Sequence, residues 1–304
     1  MKVATSIAEF EALRSELSAG ATPPVIAYVP TMGALHDGHL SLVRLARGIA
    51  DVVIVSIFVN PLQFGPNEDY AKYPRNLERD LKKAKKAGVD LVFAPTVAEI
   101  YPAGRQVSVR AGAIGDVLEG ASRPGHFDGV LTVVLKLLNI VRPSVAVFGR
   151  KDAQQLACIR RMVLDLNLDV DIVGAPIVRE KDGLAMSSRN RFLSPTERAS
   201  ALVLNTSLRA AEHEVTPTTA LAAAEQVLAA AVAAREIELD YVSIVNGATM
   251  APVPDDYTGP ALAVVAARVG TTRLIDNTEL TFPEPEVAEP DHDGHADPEP
   301  VVAG

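Results

Sequence analysis

His36 and His39 stand three residues apart with Gly38 between them, in the string Pro30-Thr31-Met32-Gly33-Ala34-Leu35-His36-Asp37-Gly38-His39-Leu40. The apolar run over 24–29 reads as a buried strand, and Leu42, Leu45, Ala46 and Ile49 then recur at helical spacing, so a helix begins near Asp37 or Gly38. A strand, a glycine-bearing loop and a helix start aim backbone N–H groups and the positive end of a helix at an anion. At the start of a helix, the three-residue spacing puts both imidazoles on one face as paired donors for an oxyanion. Two surface histidines on a loop are the plain alternative. The loop's context favours a nucleoside triphosphate site.

Three further stretches carry groups that could join that loop. Phe148-Gly149-Arg150-Lys151-Asp152 follows an apolar run, where an α/β sheet binds ligands at a strand end. Lys151 can meet phosphate as a point charge and Asp152 can accept ribose hydroxyls, although a solvated turn has the same composition. Met186-Ser187-Ser188-Arg189-Asn190 supplies two hydroxyls and a guanidinium, as a serine-rich turn also would. Gln63 follows the second strand and Gln155 falls in the first turn of a helix. Converging amides could bind the hydroxyls of a small polar acid, or could instead cap loop backbone. Arg123-Pro124-Gly125-His126-Phe127 adds a cation and an imidazole ahead of an apolar helix.

The elements that must hold these groups alternate. Strands are expected over 24–29, 51–59, 89–94, 144–148 and 170–173, and helices from Asp37, over 76–87 (Lys-rich and exposed, stopped by Gly88), 127–141 and 152–166. This order describes an α/β fold with a Rossmann-like parallel sheet and right-handed crossovers. From 178 the texture changes. A charged segment over 178–192 reads as a mobile crossing. Ser194-Pro195-Thr196-Glu197 is a capping box, and two Ala-rich helices follow to about Arg235. Strands over 238–245, 261–269 and 273–280 complete a smaller α+β domain. The expected organisation is 1–177, 178–282 and an acidic, proline-rich, disordered tail over 283–304. His292 and His295 in that tail fit a solvated linker better than a metal site.

Composition narrows the function. The tail's seven acidic residues, with no Lys or Arg among them, supply most of the net charge of −9. The remaining body is nearly neutral and has no basic stripe, which argues against a nucleic-acid partner. No stretch approaches eighteen uncharged apolar residues, so no membrane span is expected. The N-terminal segment, with Glu9, Glu11 and Glu16, is amphipathic and unlike a signal peptide. The single cysteine, Cys158, lies in an apolar helical pattern; it is expected to fill core in a reducing, cytoplasmic compartment.

His36-Asp37-Gly38-His39 after a first strand resembles the signature of the nucleotidylyltransferase superfamily, and the longer string 30–39 resembles the pantothenate synthetase (pantoate–β-alanine ligase) family. Matching strings continue in order over 56–64, Tyr73-Pro74-Arg75, 123–127, 183–190 and 270–277. The resemblance implies condensation of pantoate with β-alanine at the expense of ATP, through a pantoyl-adenylate, by a homodimer that uses magnesium. His39, His36 and Lys151 would then be catalytic. ATP would be bound by Pro30, Thr31, Met32, Gly33, His36, Gly38, His39, Gly149, Arg150, Lys151, Asp152, Val178, Met186, Ser187, Ser188 and Arg189. Pantoate would be bound by Gln63, Gln155, Met32, Asn60 and Arg123. The chain departs from the family pattern at Arg150 and Ala153, where Glu and Tyr are usual. A cation in place of the family's anion implies that side chain 150 points away from the phosphates and Lys151 points in. The family's acidic stretch is here Glu78-Arg79-Asp80, so no metal ligand is assigned and magnesium is expected on ATP phosphates and water. Another small-molecule nucleotidylyltransferase and a non-catalytic nucleotide-binding module are the competing readings.

Overall fold

The computed structural model describes residues 1–20, 22–65 and 70–284. The acidic run beyond 284, with His292 and His295, lies outside the described residues. In chain order the elements are β1 (Lys2–Ala4), α1 (Ile7–Leu17), β2 (Ile26–Thr31), α2 (Asp37–Ile49), β3 (Val52–Ile57), α3 (Leu77–Lys86), β4 (Leu91–Phe93) and α4 (Val97–Ile100). Then come α5 (Glu119–Ser122), α6 (His126–Val141), β5 (Val145–Gly149), α7 (Ala153–Asp165) and β6 (Asp171–Ala175). The last elements are α8 (Pro195–Ala211), α9 (Pro217–Ala233), β7 (Glu238–Val245), β8 (Gly259–Val269) and β9 (Thr272–Phe282).

Six strands form a parallel sheet in the order β1-β4-β3-β2-β5-β6. Side chains alternate across it as the two-residue strand period requires. Ile26 and Tyr28 of β2 with Val52 and Ile54 of β3 face α1, α6 and α7, whereas Ala27, Val29, Val53 and Val55 face α2 and α3. Burial on both faces explains the unbroken β-branched runs. Cys158 is part of the first face, and burial pushes its thiol up to about 12, so it is core material.

The α/β reading holds, and so does the smaller α+β part: α8 and α9 cover one face of the antiparallel sheet β7-β8-β9 around a separate apolar cluster. A small cluster of Ala157, Val245, Met250 and Val264 joins it to α7.

Three features were not read from the sequence. The N-terminus holds a strand as well as a helix: β1 pairs with the edge strand β4, and at three residues it is too short to show a period. Helix α3 is not simply exposed, because Asp80 and Ala84 are buried. The 178–192 segment is anchored: Arg179 makes a two-pronged ion pair with buried Asp276, at 2.6 and 3.1 Å, and Asn190 donates to Glu180.

Candidate active site

The sheet order creates the site. From β2 the chain moves outward through β3 and β4, then crosses back to lay β5 on the other side of β2. Loops leaving the carboxyl ends of β2 and β5 therefore diverge and leave a crevice, the usual ligand position in such sheets. The first loop carries His36 and His39; the second carries Lys151.

Backbone geometry in the first loop is demanding. Gly33 and Ala34 are both left-handed, with φ of +80° and +52°. A Cβ on Gly33 would come within 3.0 Å of both Asp80 and Ile57. Asp80, only 2% exposed, accepts the N–H groups of Ala34 and Leu35, each at 2.8 Å. Lys83 donates to the Leu35 carbonyl. Helix α3 thus shapes the loop that presents His36 at the N-cap of α2.

The two imidazole rings lie 4.0 Å apart between centroids. The backbone N–H of His36 donates to Nδ1 of His39 at 3.3 Å, which leaves the proton of a neutral His39 on Nε2. Burial, followed by the charges of Lys151, Lys83 and Arg191, pushes His36 down to about 4. Burial, followed by His36, pushes His39 down to about 3. Both are neutral at pH 7, so each offers one N–H donor. Nδ1 of His36 is buried without a hydrogen-bond partner among the described residues. The Gly38 N–H, in the first turn of α2, meets the weak acceptor Sδ of Met186 at 3.1 Å. A phosphate oxygen is a stronger acceptor for that amide.

Opposite the histidines, Gln63 is held from several sides. Its Oε1 accepts from Asn60 at 3.0 Å, and its Nε2 faces Sδ of Met32 at 3.2 Å. Its carbonyl accepts from Nδ1 of His126 at 2.8 Å and from Arg123 at 3.3 Å. Because a guanidinium only donates, Nε2 of His126 accepts from Arg123 at 3.0 Å and the imidazole proton sits on Nδ1. Asn60, 1% exposed, also donates to the Gly129 carbonyl and accepts from Leu62 N–H and the Tyr101 hydroxyl. All four of its hydrogen-bonding positions are taken. Asn60 lines the cavity, and within the protein it orients Gln63. Gly129 is required for this approach, since a Cβ there would sit 2.2 Å from the Leu62 carbonyl oxygen.

After β5, Lys151 lines the crevice, with Nζ 3.9 Å from Asp152. Gln155 enters from the first turn of α7 with no side-chain hydrogen bond among the described residues, while its neighbour Gln154 is spent on Glu119 N–H and the carbonyls of Ile114 and Val117. Arg150 points elsewhere: Nε donates to the Gly174 carbonyl at 3.1 Å and Nη1 pairs with Glu279. Its side chain does not line the cavity with the histidines, and its contacts run to Gly174 and Glu279. Gly33 likewise shapes the loop without lining the cavity.

The remaining expected residues surround one cavity of about 250 Å³: Pro30, Thr31, Met32, His36, Gly38, His39, Asn60, Gln63, Arg123, Gly149, Lys151, Asp152, Gln155, Val178, Met186, Ser187, Ser188 and Arg189. It opens into a second chamber of about 930 Å³ whose far wall is β9, and Lys151, Gln155 and Arg189 border both. Phe58, Val130, Val133 and Val134 form an apolar wall that the sequence reading assigned only to core. Asp80 was missed as well. No local signal marked either, because the wall arises where α6 crosses the loop after β3.

The pantoate–β-alanine ligase family model matches residues 2–279. A pantothenate synthetase of Acidothermus cellulolyticus is 55% identical over 285 residues, covering 91% of each chain. One from Thermobifida fusca is 55% identical over 283 residues, covering 90% of this chain and 94% of its own. Among solved structures, pantothenate synthetase from Thermus thermophilus superposes with a TM-score of 0.85 at 46% identity, over 93% of this chain and all of its own. The pantoate–β-alanine ligase of Francisella tularensis, complexed with beta-gamma ATP and β-alanine, gives 0.74 at 36% identity, over 91% and 97%. This chain belongs to the pantoate–β-alanine ligase family.

Proposed function

We propose that the protein joins pantoate and β-alanine to form pantothenate, converting ATP to AMP and pyrophosphate through a pantoyl-adenylate. The observation that carries this reading is the convergence, at one strand-order reversal, of a phosphate-suited side and an amide-bearing side. His36, His39, Lys151, the start of α2 and the Ser187-Ser188-Arg189 turn form the first; Gln63 and Gln155 form the second. Pantoate's hydroxyls suit the amides, and its dimethyl carbon suits the wall of Phe58, Val130, Val133 and Val134.

In the first step a pantoate carboxylate oxygen attacks the α-phosphorus and pyrophosphate leaves. Charge grows on non-bridging oxygens, where Nε2–H of His39, Lys151 and the α2 amides stabilise it. Neutral histidines donate without first losing a proton. In the second step the β-alanine amine attacks the acyl carbon, AMP leaves with the C–O bond electrons, and the amine releases a proton. Neither step needs an enzyme nucleophile.

Among the described residues no group of three or more His, Cys, Asp or Glu could hold a metal ion, and Asp80 is committed to backbone N–H groups. In this proposal magnesium enters with the nucleotide and is held by phosphate and water. We take 1–177 as the substrate-binding domain and 178–282 as the domain that covers it. A cytosolic homodimer belongs to the same proposal, and light scattering on the purified protein tests the dimer. No helix among the described residues is long and apolar enough to cross a membrane.

Exchange of labelled pyrophosphate into ATP tests the reaction. Exchange should require pantoate and proceed without β-alanine. Exchange without pantoate, or dependence on β-alanine, would sink the two-step scheme.

A further inference from the structure

Strand β9 reaches across to both phosphate-side segments of the cavity. Asp276 pairs with Arg179, at the root of the segment carrying Ser187, Ser188 and Arg189. Its neighbour Asn277, 4% exposed, donates both hydrogens of its side-chain amide to consecutive carbonyls of the β5–α7 turn. These bonds run to Arg150 O at 3.0 Å and Lys151 O at 2.8 Å. Two residues along, on the same face of β9, Glu279 takes the Arg150 guanidinium.

The turn needs such a partner. Helix α7 begins its own backbone ladder with the Asp152 carbonyl, which accepts from Leu156 N–H, so the two preceding carbonyls have no helical donor. Without Asn277 they would lose their partner in the protein. One of the two residues whose carbonyls are held, Lys151, lines the cavity with His36 and His39.

From these contacts we propose that Asn277 is a positioning residue for adenylation: by clamping the two carbonyls it sets the backbone from which Lys151 reaches the triphosphate. The proposal rests on the functional reading above. It makes the carboxyl-terminal sheet part of the adenylation machinery although Asn277 itself touches no reacting atom. A misplaced cation at a phosphoryl centre loses much of its effect with a shift of about 1 Å, which can cost on the order of 10²-fold.

A double-mutant cycle in the pantoate-dependent exchange assay tests it, using the full chain. Asn277→Ala should lower the exchange rate roughly tenfold to a hundredfold, with the protein still folded at assay temperature by circular dichroism. In a Lys151→Ala background the same change should cost less than about twofold, because the group it positions is gone. A merely structural role predicts the full loss in both backgrounds, and that result overturns the proposal. If Asn277→Ala does not fold, the uncharged and nearly isosteric Asn277→Leu, which keeps the volume and removes both donors, replaces it in the cycle with the same expected outcomes. A wild-type protein inactive in exchange would defeat the functional reading and this proposal together. An active wild type with an additive cycle defeats the proposal alone.

Discussion

Replacing Asp80 should damage both stability and chemistry, although this residue lines neither of the two chambers of the site. Its carboxylate is buried and accepts two loop N–H groups at 2.8 Å, beside consecutive left-handed residues at Gly33 and Ala34. A non-glycine residue in that region costs roughly 1–3 kcal/mol and persists only where surrounding contacts impose it. Asp80→Ala leaves one buried and one half-buried donor unpaired, at about 1–3 kcal/mol each, so a total loss of roughly 2–6 kcal/mol follows. Asp80→Asn keeps one acceptor oxygen and turns an NH₂ toward the other donor, so about half that loss is expected. Urea titrations should show lower midpoints with unchanged slopes. Loosening the loop also releases His36, so pyrophosphate exchange should fall on the order of 10²-fold under conditions where the variant remains folded. An Asp80→Asn protein within about 0.5 kcal/mol of wild type, with normal exchange, would refute the claim that α3 shapes the histidine loop.

Other changes separate the roles within the site. His39→Ala should cut exchange roughly 10²-fold or more, as loss of a single oxyanion donor does, while circular dichroism shows a folded chain; normal exchange would remove His39 from the chemistry. Lys151→Ala should cost roughly 10²-fold or more. Arg150→Glu, which faces Glu279 at a partly exposed position, should change the rate by less than about tenfold and stability by no more than about 1 kcal/mol. Side-by-side rates with saturating pantoate compare these two, and a larger loss at Arg150 would reverse their assignment. Because folding lowers the affinities of His36 and His39 for protons to about 4 and about 3, the unfolded chain binds more protons between those values and about 6.5. Stability should therefore be fully present above about pH 6.5 and fall on acidification, by up to ~1.4 kcal/mol per unit for each histidine. Denaturant midpoints of the wild type and a His36→Asn/His39→Asn variant across pH 4–7 check the sign, since the variant should show the flatter slope.

Local patterns carried much of this protein. The β-branched runs at β2 and β3 follow from burial on both sheet faces, and the helical spacing of Leu42, Leu45, Ala46 and Ile49 follows from one buried stripe. The histidine loop was legible because strand, glycine turn and helix start are contiguous in sequence, and the chemistry of such a junction is local. What the tertiary structure decided lies between residues distant along the chain. Strand order, not periodicity, brings residues 30–39 beside 149–155. The direction of Arg150 depends on Glu279 and Gly174, and the duty of Asn60 on Gly129 and Tyr101. Asp80 looks like any acidic residue in a helical first turn until Ala34 and Leu35 are placed against it. Asn277 looks like any strand residue until the turn before α7 lies across it. Such pairings arise from whole elements packing together, and a side chain's hydrogen-bonding capacity acquires its use only when that packing excludes water and leaves one partner within reach.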